Sequence, residues 1–129
     1  MDPNVIQGAV MLKFKKEPKI EVLAEYDDCS VRGNAVASGD DADDKKVEDE
    51  ILRRLKDDDV WAWAAVTVRA SIGELHGEDH LGCCSYESEE DFKKDGYYLD
   101  MVDGAKAELL KKIEEIVEYV ESATESLPT

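Results

Sequence analysis

Hydrophobic and polar residues alternate through the centre of the chain. From Val60 to Ala70 every second residue is apolar, which predicts a strand with that side facing the core. The inward residues are Val60, Ala62, Ala64, Val66, Val68 and Ala70, and the other side bears Trp61, Trp63, Ala65, Thr67 and Arg69. Gly73 and Gly77 bracket a chain reversal, so we expect residues 75–86 to return as the second strand of a β-hairpin.

Two other stretches show the helical period. Apolar residues three and four apart predict a helix over residues 43–56, with Val47, Ile51, Leu52 and Leu55 on its buried stripe. A longer stripe predicts a second helix over residues 99–122, and it consists of Val102, Ala105, Leu109, Ile113, Ile116, Val117 and Val120. Before that helix, Ser88 and the acids that follow it are typical of the start of a short helical turn through residues 92–94.

The first third of the chain is less regular. Alternation around residues 10–14 and 20–24 predicts two strands with a break at Pro18, and residues 1–18 form either an extra strand or an arm. Residues 27–42 have the turn residues of a flexible acidic loop. The order of elements predicts one α+β domain, residues 1–129, in which an antiparallel sheet with a central β-hairpin has two main helices packed on one face.

Charge narrows the range of partners. The chain has 32 acidic and 16 basic residues, a formal net charge of -16. Such a surface repels nucleic acid and anionic membranes and attracts basic proteins or cations, so we predict a basic protein as partner. We expect no direct contact with nucleic acid or membrane. An edge strand and a long apolar helix are compatible with a homo-oligomer.

The sequence favours a cytoplasmic location. No stretch approaches the ~18–20 apolar residues of a membrane helix, and the first residues lack the layout of a signal peptide. Three cysteines, of which Cys83 and Cys84 are adjacent, are poorly spaced for a disulfide framework, so we expect reduced thiols.

Histidines and cysteines cluster in residues 76–84. If this segment is extended, His76, His80 and Cys84 point the same way and would suit zinc, with Cys29 or Glu78 as a fourth ligand. The alternative is a pair of exposed histidines beside small buried thiols. Because the separated ligand pairs of zinc motifs are missing, we predict no metal and no other cofactor.

The motifs of common enzyme classes are missing from the sequence. No phosphate-binding loop, nucleophile elbow or dinucleotide fingerprint is present. The acids around Cys83 and Cys84 oppose the formation of a thiolate nucleophile. We therefore predict a protein that is not an enzyme.

Acidic side chains concentrate in residues 40–59. On a helix, side chains three or four residues apart lie about 5 to 6 Å apart, comparable to the spacing of phosphates along a nucleic-acid strand. Such a surface can occupy the basic groove of a nucleic-acid-binding protein, and the alternative is a face that only confers solubility. The candidate partner-binding residues are Asp40, Asp41, Asp43, Asp44, Glu48, Asp49, Asp57, Asp58 and Asp59.

The outward side of the predicted central strand is a second candidate site. Trp61 and Trp63, two residues apart, are typical of core or dimer contacts. They can also stack on a nucleotide base while Arg69 meets a phosphate and Thr67 lies beside them. This side is therefore an alternative site for a small nucleotide signal at an oligomer interface.

Three short motifs occur in residues 61–92: a WAW strand, a Gly-x-Asp-x-Leu-Gly-x-Cys-Ser-Tyr return and a Ser-Glu-x-Asp-Phe segment. They consist of Trp61, Ala62, Trp63, Gly77, Asp79, Leu81, Gly82, Cys84, Ser85, Tyr86, Ser88, Glu89, Asp91 and Phe92. This part, about a third of the chain, resembles a group of uncharacterised small acidic proteins encoded by phages, prophages and plasmids. The group has the glycine and the aspartate of this return adjacent, as Gly-Asp-x-Leu-Gly-x-Cys-Ser-Tyr, whereas here Glu78 intervenes between Gly77 and Asp79. Cys83 stands where the group has glycine, and His80 stands where the group varies. The resemblance implies a mobile-element accessory protein that inhibits a basic nucleic-acid-binding host or defence protein, in the manner of anti-CRISPR and DNA-mimic proteins.

Overall fold

Three antiparallel strands form one sheet in the computed structural model, which describes residues 11–128. They are β1 (Lys19–Tyr26), β2 (Ala64–Ile72) and β3 (Leu75–Cys84), and β2 lies between the other two. A two-residue turn joins β2 to β3, and its Gly73 has φ 58°, a conformation that glycine adopts without steric cost. The predicted antiparallel sheet and β-hairpin are confirmed.

Within residues 11–128, three α-helices complete the fold: α1 (Asp41–Lys56), α2 (Glu89–Lys94) and α3 (Gly96–Ala123). Each follows a residue whose side chain accepts hydrogen bonds from N–H groups of the first turn. These capping residues are Asp40, Ser88 and Asp95. The α+β class with two main helices is confirmed. No helix within residues 11–128 combines the length and apolarity needed to cross a membrane.

Helix α3 covers one face of the sheet. The residues of β2 that alternation predicts to face inward are almost fully buried there, and they are Ala64, Val66, Val68 and Ala70. They belong to the same buried cluster as Ala105 and Leu109 of α3. Strand β3 approaches α3 at Gly77, where a Cβ atom would lie 2.3 Å from the backbone N of Leu109 and 2.4 Å from the carbonyl O of Ala105. Only glycine permits this approach of strand to helix.

The end of α3 extends past the sheet. Its 28 residues span about 42 Å at 1.5 Å per residue, whereas the 10 residues of β3 span about 33 Å. The predicted apolar stripe therefore has no strand beneath its end. Ile116 and Val120, which the stripe places in the core, are 43% and 47% exposed.

Helix α1 packs mainly on a turn that precedes β2, and it forms a second hydrophobic cluster there. Ile51 is buried in this cluster with Val31, Ala62 and Trp63. Val47, which we expected on the buried stripe of α1, is 45% exposed, and Glu48 is buried. Glu48 is buried where Val47 was expected because the loop before α1 donates hydrogen bonds to the Glu48 carboxylate.

Strand β2 begins four residues later than predicted. Val60–Ala62 forms a 3-10 turn in which the side chain of Asp59 accepts a hydrogen bond from Trp61 N at 3.1 Å. The turn interrupts the alternation that the sequence shows. As a result, Trp61 packs against the cluster under α3, whereas Trp63 belongs to the cluster under α1.

The chain before β1 forms no strand within residues 11–18, so the strand predicted around residues 10–14 is wrong for that part. Phe14 packs against the cluster under α3, and Leu12 N donates a hydrogen bond to Glu114 Oε2 at 2.8 Å. Residues 1–10 of the predicted strand or arm lie outside the described residues.

Candidate functional site

A disulfide joins the loop after β1 to the end of β3. Cys29 and Cys83 are bonded across 54 residues, so the expectation of reduced thiols is wrong for this pair. Tyr26 and Cys84 both pair with Ala64 at one end of the sheet. The chain leaving β1 therefore lies beside the end of β3, a proximity that depends on the strand order.

A β-bulge near the end of β3 separates the predicted zinc ligands. Its residue Cys83 has φ 52°, and Cys84 turns inward, with Sγ 3.2 Å from the carbonyl O of Ala64. His80 stays exposed on the sheet face away from α3. In the part of the chain that the structure describes, His76, His80 and Cys84 do not converge on one site. The strand parity that predicted their convergence is wrong beyond the bulge.

Cys84 is a free thiol with low reactivity. Burial raises the pKa of the Cys84 thiol to about 11, and the nearby charge of Asp27 adds to the rise. The thiolate is the nucleophilic form, and this thiol is almost wholly protonated at neutral pH. Cys84 is therefore poorly suited to nucleophilic chemistry.

The two tryptophans have structural contacts. Trp63 is 2% exposed, and its Nε1 donates a hydrogen bond to the carbonyl O of Cys29 at 2.8 Å. Trp61 is half-buried and stacks on Phe92 with ring centroids 5.7 Å apart, while Tyr86 meets its ring edge-on. The stacking platform predicted from the alternation is wrong, because these two rings do not form one exposed surface.

Thr67 and Arg69, the other members of that predicted site, contact their neighbours on β3. Thr67 Oγ1 lies 3.0 Å from His80 Nδ1, and Arg69 Nε donates to Glu78 Oε2 at 2.6 Å. These side chains face away from α3, because they alternate with the buried valines of β2. Glu78 is therefore committed to an ion pair with Arg69.

The loop before α1 neutralises part of the acidic surface. Glu48 is only 8% exposed; its carboxylate accepts hydrogen bonds from Gly33 N at 2.8 Å and from Arg32 Nη1 at 3.0 Å. The hydrogen bond from Gly33 is the main reason that the pKa of Glu48 lies below its usual value, followed by the one from Arg32. Arg32 also pairs with Asp49 at 2.5 Å, and Lys45 pairs with Asp49 at 3.3 Å.

Other acids of residues 40–59 are also engaged. Asp40 caps α1, and Asp44 accepts hydrogen bonds from the backbone N and the hydroxyl of Ser38. Asp57 pairs with Arg53 at 3.1 Å, and Asp59 pairs with Arg54 at 2.8 Å. Within residues 11–128, the candidate acids left without such a partner are Asp41, Asp43 and Asp58. The nine predicted residues therefore do not present nine available charges.

A different acidic surface lies at the end of α3. Residues 113–127, here called the C-terminal acidic segment, contain five glutamates and no lysine or arginine. They are Glu114, Glu115, Glu118, Glu121 and Glu125. Exposed apolar side chains lie among them, with Tyr119 at 74% in addition to Ile116 and Val120. The segment was missed because its apolar stripe indicated a buried helix; the signal that could have found it is the absence of bases after Lys112.

The segment borders a cleft beside the β-hairpin turn. The cleft has a volume of about 420 Å³, and we call it the hairpin cleft. It is lined by Glu74, Leu75, His76, Lys112, Glu115, Ile116 and Tyr119. Both sides of the cleft thus offer apolar surface, and a glutamate stands on each side.

Comparison of the chain with protein-family models, with curated proteins and with solved structures finds no match.

Proposed function

We propose that the protein is a non-enzymatic inhibitor that binds a basic, nucleic-acid-binding protein of a host or of its defence system through an acidic surface. The net charge of -16 supports this class of partner. The observation that carries the proposal is the C-terminal acidic segment, in which five glutamates without a base surround exposed apolar side chains.

The combination of charge and apolar surface suits a protein partner. Glutamates around a contact steer a basic protein to it, and apolar or aromatic side chains at its centre supply most of the binding energy. Tyr119 and Ile116 provide such a centre, and Glu115 lies beside them in the hairpin cleft. The glutamates of such a surface compete with the phosphates of nucleic acid for a basic groove. Its exposed apolar side chains add binding energy that charge alone does not supply.

Residues 40–59 contribute less in this proposal than the sequence suggests. Asp41, Asp43 and Asp58 keep their charges available, but the remaining acids of this set pair with neighbouring bases or accept hydrogen bonds from backbone N–H and hydroxyl groups. An acid that already forms an ion pair with a neighbouring base attracts a basic partner weakly, because the two charges of the pair nearly cancel. The cytoplasmic location and the homo-oligomer stay predictions.

Affinity capture from a lysate of the native host tests the proposal. We call the protein with Glu115→Gln, Glu118→Gln and Glu121→Gln the segment variant, and compare it with the wild type. The wild type should retain a basic protein, release it at high salt, and inhibit its binding to nucleic acid. The segment variant should retain much less of the same protein, because the steering charges are gone.

A matched variant controls for total charge. Glu87→Gln, Glu90→Gln and Asp100→Asn remove three exposed acids elsewhere, and Asp100 lies about 22 Å from Glu115 along α3. This control variant should behave like the wild type. Equal retention by the wild type and the segment variant, or a captured protein that still binds nucleic acid normally, would count against the proposal.

A further inference from the structure

Three metal-ligating side chains converge at the end of the sheet. Asp27 directly follows β1, Cys29 lies two residues further along the loop, and Cys83 occupies the bulge of β3. A carboxylate oxygen and the two Sγ atoms all lie within 4.8 Å of one another. Asp27 and Cys29 are half-buried and Cys83 is exposed, so the cluster is open to solvent on one side.

The cluster is held together by hydrogen bonds as well as by the disulfide. One oxygen of the Asp27 carboxylate accepts from Cys29 N at 2.9 Å, and the other accepts from Cys83 N at 2.7 Å. Asp27 N donates to the carbonyl O of Trp63 at 3.1 Å, and the Trp63 indole donates to the carbonyl O of Cys29 at 2.8 Å. None of these hydrogen bonds involves a sulfur atom, so none of them requires the disulfide. The two thiols therefore stay near each other and near the carboxylate after reduction.

The backbone at Cys83 also fits a binding site. Its φ of 52° is uncommon for a residue with a side chain. The hydrogen bond from Cys83 N to Asp27 holds this conformation, which aims the side chain of Cys83 towards Cys29. Strained backbone that surrounding contacts fix in this way is frequent at ligand sites.

We propose that Asp27, Cys29 and Cys83 form a binding site for one thiophilic divalent cation, with Zn²⁺ the best fit, when the Cys29–Cys83 disulfide is reduced. A dithiol reductant supplies two electrons and two protons, which break the S–S bond and give two thiols while the reductant becomes a disulfide. The cation then displaces both thiol protons and forms two metal–sulfur bonds. The disulfide and the metal-bound state exclude each other.

The geometry requires small movements. Tetrahedral zinc with bonds of about 2.3 Å to sulfur separates two thiolates by roughly 3.8 Å. Once the S–S bond is broken, rotation of the two cysteine side chains supplies this separation. The carboxylate of Asp27 retains acceptor capacity beyond its two backbone hydrogen bonds, and solvent at the open side provides a water as fourth ligand. Cys84 is no ligand, because its Sγ faces the carbonyl O of Ala64.

The test uses the full chain and Co²⁺ as a spectroscopic probe. Protein reduced with a phosphine is titrated with Co²⁺ without oxygen. We expect one Co²⁺ per chain with a thiolate-to-cobalt charge-transfer band, which Zn²⁺ abolishes by displacement. The oxidised protein should give no band, and Asp27→Asn should weaken Co²⁺ binding by about tenfold or more.

Three cysteine variants locate the site. Cys29→Ser and Cys83→Ser should each lose the band, whereas the matched control Cys84→Ser should keep it. A second measurement needs no variant: Zn²⁺ should protect Cys29 and Cys83 of the reduced wild type from alkylation, and leave Cys84 unchanged. No band with the reduced wild type, a band that depends on Cys84, or alkylation that Zn²⁺ does not slow would overturn the proposal.

Discussion

The contact between β3 and α3 gives the sharpest prediction about stability. Gly77→Ala places a Cβ atom 2.3 Å and 2.4 Å from backbone atoms of Leu109 and Ala105. Ordinary contacts of a Cβ atom begin near 3.4 Å, so α3 must move about 1 Å away from the sheet. Backbone atoms cannot rotate out of the way as a side chain does. The movement loosens the buried cluster that Leu109 and Ala105 form with β2.

We expect this substitution to lower the free energy of unfolding by about 3 kcal/mol, the upper part of the range for overpacked cores. A gap of 0.5 to 1 Å already forfeits roughly a quarter to a half of the dispersion energy of the separated atoms. The melting temperature should fall by about 12 °C, at roughly 4 °C per kcal/mol for a chain of this size. Urea unfolding followed by circular dichroism measures the free energy directly.

Two matched substitutions separate the clash from the general effect of replacing glycine. Gly96→Ala meets nothing within 4 Å and should be neutral or slightly stabilising. Gly104→Ala meets the carboxylate of Asp79 at 2.5 Å; this side chain can rotate, so we expect an intermediate loss. If Gly77→Ala unfolds with the same free energy as Gly96→Ala, the close approach of β3 to α3 is refuted.

Three further changes test other contacts. Cys29→Ser removes a disulfide that closes a loop of 54 residues. The relation between loop length and chain entropy predicts that the free energy of unfolding falls by about 4 kcal/mol. In urea titrations, a reductant should abolish the difference between the wild type and the variant. Trp63→Phe leaves the carbonyl of Cys29 without its indole donor and should cost about 2 kcal/mol; a loss within measurement error would contradict the structural role of Trp63. Hydrogen bonds from Gly33 and Arg32 lower the pKa of Glu48 in the folded protein. The carboxylate of Glu48 therefore adds to the free energy of unfolding above the unfolded pKa of 4.5, and this addition is lost as the pH falls through the lower pKa of the folded protein. Glu48→Gln should therefore flatten the decline of melting temperature below pH 4.5, and an unchanged decline would exclude Glu48 as its source.

Local patterns predicted most of the fold. The alternation of Val66 and Val68 with Thr67 gave the buried side of β2, and Ser88 gave the start of α2, because both signals depend on residues near in sequence. The sequence did not predict the 3-10 turn before β2, because residues 60–62 fit two patterns equally well. They continue the alternation of a strand, and they also follow Asp59, a residue that can cap a helical turn. Alternation cannot show which of the two conformations has the better hydrogen bonds.

The sites were harder to predict, because they depend on contacts between distant residues. Arg32 and Glu48 are 16 residues apart, and their pairing removes an acid from the predicted surface. The bulge at Cys83 reverses the strand parity on which the histidine and cysteine site was based. Cys29 meets Cys83 only because β1 and β3 flank the same strand.

The central claim, that the C-terminal acidic segment competes with nucleic acid for a basic protein, is tested most directly by a displacement titration. The captured basic protein is bound to fluorescent duplex DNA, and DNA release is followed by anisotropy as the wild type, the segment variant or the control variant is added. We predict that the wild type and the control variant release the DNA at similar concentrations, and that the segment variant needs roughly tenfold more. Equal release by the segment variant and the wild type would contradict the claim.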